Sequence, residues 1–182
     1  MAADFPSLVS LACHDLRTPL ATVQGFAKTL LKLEELDDEK LTRYLGLIDA
    51  ASDELVALLD LLSLAARIEG GRYDPVVREA DSLELAPEGA SGTGATVSVD
   101  PEAVSKALAA LARAAARHGG VEVSTSVDGP RVSIEPVVAE AAPVVLGQEQ
   151  RDLGAAVGMM ALRALGAEAT LDGERLTVTL PA

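Results

Sequence analysis

Val9, Leu16, Val23 and Leu30 recur every seven residues, and Ala12, Pro19, Phe26 and Leu33 recur with the same period in the register between them. These are the a and d positions of a helical seam. The acidic stretch Glu34 to Asp38 breaks the pattern as a solvated turn, with Asp37 or Asp38 capping a second helix. From Glu39 to Glu69 the apolar positions include Leu41, Leu45, Ile48, Leu55, Leu58 and Leu62, with Leu47, Val56, Leu61 and Leu64 extending the face sideways. So broad an apolar face needs cover on more than one side, which a lone two-helix hairpin cannot give. The expectation is a homodimer in which two hairpins form a four-helix bundle.

After Gly70-Gly71 the chain changes character and becomes rich in Gly, Pro, Val and Thr. The shift predicts a helical domain over 1–72 and a second domain over 73–182. Ala95 to Val99 reads as a strand, and Asp100-Pro101 opens a helix to His118, stopped by Gly119-Gly120. Val121 to Val127 alternates as a strand, and Asp128-Gly129 turns it into Arg131–Ile134. A further helix is expected from Asp152 to Leu165, then strands 168–171 and 176–180 about a turn at Asp172-Gly173. This half is therefore a small α/β sandwich with its helices on one face of the sheet.

Composition narrows the functional classes. A net charge of −13 disfavours nucleic acid and anionic membrane as partners. The halves share that charge, with 7 basic against 12 acidic residues in 1–72 and 8 against 16 beyond. One cysteine, Cys13, excludes an internal disulfide framework and a cysteine-cluster zinc site; with no neighbouring His/Cys cluster it reads as a small packed or half-exposed residue. Aromatics at 2% leave no stacking platform for bases. The longest apolar-rich run, Leu55 to Ala66, is broken by Asp60 and Ser63 and falls short of a membrane span. Met1 to Asp4 lacks the basic region of a signal peptide, so a cytoplasmic location is expected.

Chemistry concentrates on the first helix. His14 falls on heptad position f, away from the seam, with Arg17, Thr18 and Ala21 near it on the same face and Asp15 directly after it. Pro19 sits within a strong helix at a cost of roughly 3 kcal/mol, which points to a shaped site. His14-Asp15-Leu16-Arg17-Thr18-Pro19-Leu20 resembles the H box of sensor histidine kinases, and Leu61 to Arg72 is similar to the end of the second helix of their dimerisation and phosphotransfer domain. The resemblance implies that His14 is phosphorylated. A neutral imidazole is nucleophilic near pH 7, and an adjacent carboxylate such as Asp15 can accept its other N–H. By the same resemblance Thr18 orients a water during dephosphorylation of a partner, against the plainer reading of a solvated helix residue. Arg17, Ala21 and Gly25 lie on or beside the outward stripe, where small residues suit the close approach of a receiver domain's aspartate.

The second half resembles the ATP-binding domain of that family in reduced form. Asp100 to Gly120 has the rhythm of its N box, but Ala110 and Ala114 stand at the two asparagine positions, and alanine offers Mg²⁺ no oxygen. Ile134 to Pro143 lacks the Asp and glycines of the adenine-contacting box. Asp152 to Ala167 matches a glycine-rich helix start in spacing, with an acidic residue where phosphate would lie. Residues 135–151 are short for a lid over nucleotide, and 74–94 for the family's first helix there. His118, near the end of its helix, reads as a partly exposed residue favoured by the helix dipole. The resemblance thus implies a histidine phosphotransferase of a two-component phosphorelay, shuttling phosphoryl groups between His14 and aspartates of response-regulator receiver domains. It would bind no cofactor, with Mg²⁺ only on the receiver partner. Two alternatives stand beside it: an active sensor histidine kinase with a divergent nucleotide site, and a non-catalytic decoy that binds receivers or kinases.

Overall fold

The computed structural model describes residues 5–32 and 37–182. Helix α1 (Phe5–Lys32) and helix α2 (Asp38–Glu69) form an antiparallel hairpin. Leu8, Ala12 and Pro19 are buried on α1, while Val9, Leu16, Val23, Phe26 and Leu30 are half-buried against α2 or the solvent edge. Leu33 and the turn residues Glu34 to Leu36 lie outside the described residues. The helix continues through Pro19, whose ring belongs to the buried side. Asp37 is the cap of α2: its carboxylate accepts from the Lys40 amide at 2.7 Å. Gly70 closes α2 by donating to the Ala66 carbonyl, and Gly71 takes the positive φ of +62° that a side chain would resist.

Beyond the hairpin the chain forms β1 (Arg78–Asp81), a one-turn α3 (Ser82–Leu85), β2 (Ser91–Gly94), β3 (Thr96–Val99) and the long α4 (Pro101–Gly119). There follow β4 (Ser124–Gly129), β5 (Arg131–Glu135), the short α5 (Ala142–Val145), α6 (Leu153–Ala164), β6 (Glu168–Asp172) and β7 (Arg175–Thr179). The main sheet runs β2-β4-β5-β7-β6, antiparallel except for the β2–β4 pair, and β1 pairs with β3 in a separate ribbon. Val127, Val132, Ile134, Leu176 and Val178 point to one face of the sheet and pack against Leu108 and Leu111 of α4 and Met159 and Leu162 of α6. The period-two alternation of these strands thus supplies one wall of the core and the helical stripe the other.

Several boundaries differ from expectation for local reasons. Strands β1 and β2 carry the sequences READ and SGTG, which have no apolar alternation; pairing with β3 and β4 holds them as strands. Strand β4 begins at Ser124, three residues later than the alternation suggested. Both hairpins turn one residue further on, because Asp128 pairs with Arg131 and Asp172 with Arg175, leaving Gly129-Pro130 and Gly173-Glu174 as the turns. Asp152 stands outside α6 as its cap.

Candidate phospho-acceptor site

The His14 side chain is 77% exposed, and its Nδ1 lies 3.2 Å from Oδ1 of Asp15. Asp15 is half-buried at 30% exposure, so its carboxylate is fixed beside the ring while the ring itself faces water. With the carboxylate accepting from Nδ1–H, the lone pair rests on Nε2, the nitrogen further from the backbone. Cys13, expected to be packed or half-exposed, is exposed next to it.

One and more turns along α1, Arg17, Thr18, Ala21, Thr22, Gly25, Phe26 and Thr29 line a shallow open groove. The helical period brings them together, since residues three, four and seven apart share a face. The Thr22 hydroxyl donates to the Thr18 carbonyl at 3.2 Å and the Thr29 hydroxyl to the Gly25 carbonyl at 2.9 Å, so neither hydroxyl hydrogen is free. A Cβ at Gly25 would meet nothing within 4 Å, so no neighbour in this chain demands glycine there. Thr18 and Ala21 are exposed, as is Arg17.

The second candidate region joins α4 to the start of α6. Ala110 and Ala114 are buried at 5% and 0% exposure. The Cβ of Ala110 lies 3.4 Å from where a Cβ on Gly154 would sit. Asp152 is 9% exposed, and its carboxylate closes the N-terminus of α6 by accepting from the Ala155 amide at 3.0 Å. The same carboxylate lies 3.3 Å from Nη1 of Arg117 and 3.4 Å from Nε2 of His118. His118 is therefore not simply a helix-end residue: it is 18% exposed and held against a carboxylate from another helix. That constellation is invisible along the chain because its members lie 34 and 35 residues apart. The available signal was an Asp directly before an apolar run, the usual mark of a capping residue. Among the described residues no group of three or more His, Cys, Asp or Glu side chains is placed to hold a metal ion. Nor is any helix of the described residues long and apolar enough to cross a membrane.

Residues 7–71 match the His Kinase A (phospho-acceptor) domain. The fold is similar to that of the histidine kinase AdeS of Acinetobacter baumannii, with a TM-score of 0.61 at 18% identity, over 92% of this chain and 97% of that one. It is also similar to the histidine kinase ThkA in its complex with the response regulator protein TrrA, with a TM-score of 0.50 at 14% identity, over 96% of this chain and 60% of that one. No curated protein sequence matches the chain. The stretch that includes His14 therefore matches the His Kinase A (phospho-acceptor) domain, and the chain as a whole has a fold similar to that of the histidine kinase AdeS.

Proposed function

We propose that this protein is a histidine phosphotransferase of a two-component phosphorelay, accepting a phosphoryl group on His14 from one receiver aspartate and delivering it to another. The observation that carries the reading is the pairing of an exposed, carboxylate-supported imidazole with a companion unit ill suited to nucleotide. In the acceptor step Nε2 of His14 attacks phosphorus, the P–N bond forms, and the P–O bond to the receiver's aspartate breaks. The carboxylate leaves with the electron pair. The ring, protonated on Nδ1, becomes cationic, and Asp15 at 3.2 Å stabilises that charge. The return step reverses each bond change.

The residues of the α/β unit do not fit a nucleotide and its metal. Two buried methyl groups at Ala110 and Ala114 supply no oxygen to a cation. The α6 N-terminus, where helix amides favour a phosphate, already holds the carboxylate of Asp152. An incoming phosphate would have to displace an anion tied to Arg117 and His118. Autophosphorylation from ATP is accordingly not part of the proposed activity, and Mg²⁺ belongs to the receiver.

Thr18, Arg17, Ala21 and Gly25 form the docking stripe in this reading, with Thr18 one turn from the imidazole to orient water. A receiver as partner is in keeping with the response regulator named in the complex of the fold relative ThkA. Leu20, Leu31, Leu45, Val56 and Leu59 of the hairpin are exposed in the single chain, and a second hairpin covering them would make the four-helix bundle. On this reading residues 1–72 are the phosphotransfer domain and 73–182 its companion, working in the cytoplasm. The test uses a receiver carrying labelled aspartyl phosphate. Acid-labile label should appear on the wild-type chain and not on His14→Ala, which stays folded because the ring is exposed. An unlabelled wild type would favour a decoy. Label arriving from Mg²⁺ and ATP would instead establish a kinase.

A further inference from the structure

Helix α6 reads Leu-Gly-Ala-Ala-Val-Gly-Met-Met-Ala-Leu-Arg-Ala, apolar on every side until the exposed Arg163 of its last turn, and eight of its residues are buried. A helix apolar all round requires cover all round. The sheet and α4 cover only one side, through Ala155, Met159 and Leu162. Contact there is close, since a Cβ on Gly158 would lie 3.2 Å from the Ala107 Cα. The other side is covered by the hairpin. Leu153, Ala156 and Val157 of α6 share a separate apolar cluster with Leu8 and Ala12 of α1 and Ala65 of α2, none more than 2% exposed.

The connection between the halves is tied down as well. The Arg72 amide donates to the Arg67 carbonyl at 2.8 Å, and the Arg67 guanidinium lies 5.7 Å from the centre of the Tyr73 ring. Three residues on, the Val76 amide donates to Asp100, the same carboxylate that caps α4. The segment that would serve as a hinge is thus pinned to the last turn of α2 at one end and the first turn of α4 at the other.

We propose that α6 is a keystone that joins the hairpin and the α/β unit into one rigid, cooperatively folding body, so that the α/β unit is a fixed brace on the base of the His14 helix and does not swing about residues 70–77. Separation would expose the outer face of α6 and the base of the hairpin together. The buried residues that meet there are apolar on both sides. The inference rests on packing alone and holds whether or not His14 carries phosphate.

The full-length protein tests it by scanning calorimetry. Wild type should unfold in a single transition with equal calorimetric and van't Hoff enthalpies. Leu8→Asp places a charge in the seam while leaving the sandwich core untouched, and should split the trace into two transitions. Two transitions in the wild type would overturn the proposal, as would one unshifted transition in Leu8→Asp. Should Leu8→Asp fail to fold, Leu8→Ala supplies the same answer through trypsin cleavage at Arg72. Opening of the seam should raise the cleavage rate roughly tenfold, since proteolysis follows the population of the open form. A rate equal to wild type would count against the brace.

Discussion

In the proposed phosphotransfer, docking at His14 depends on what its neighbours lack. Ala21 is exposed and lines the groove two turns along α1 from His14, so on that proposal a receiver brings its aspartate close only while the position stays small. Ala21→Trp should reduce phosphotransfer from a receiver at least about 100-fold through lost positioning, with the helical circular dichroism unchanged. Transfer at the wild-type rate would place the docking face elsewhere. At this scale the sequence exposed His14 and Asp15, because a heptad assigns a direction to every residue on its helix. The contact of Asp152 with Arg117 and His118 stayed hidden because no periodicity relates residues on separate elements.

Helix ends govern the elements. Asp37 accepts from the amide and ammonium of Lys40, and those bonds hold its carboxyl below the ordinary value of 3.8. A carboxylate lowered on folding contributes stability above its unfolded value, and that contribution is lost as pH falls through the lower folded one. Wild type should therefore be more stable than Asp37→Ala at neutral pH, and the two should converge as acid passes below 3.8, read as helicity of α2 against pH. Asp152 caps α6 from a buried position, so Asp152→Ala removes a cap and leaves the half-buried His118 without its carboxylate. A loss of about 1–2 kcal/mol is expected from such a change. In a chain of this size that is a fall in Tm of roughly 2–8 °C. An unchanged Tm would mean that the cluster is not structural.

Helices α1, α2, α4 and α6 and strands β3 to β7 were all legible before the fold, since strong apolar periodicity and capping residues mark them. Strands β1 and β2 were not. Apart from Ala80 their residues are polar or glycine, and hydrogen bonding to β3 and β4 holds them extended.

Taken whole, the molecule presents much of its exposed apolar surface along the hairpin, where Leu45, Val56 and Leu59 are half or more exposed. Light scattering at micromolar concentration should give twice the mass of the chain, and Leu45→Glu with Leu59→Glu should reduce it to the monomer value. A wild-type monomer would contradict the four-helix bundle.

The amino-acid order alone determined the helical hairpin, the outward direction of His14 and the alanines at positions 110 and 114, because each is written in local spacing or residue identity. Only the tertiary structure decided that Asp152 meets Arg117 and His118 and that α6 is gripped from both sides. Those facts depend on which distant segments meet, and a burial pattern along one helix tells that it needs cover without telling what supplies it.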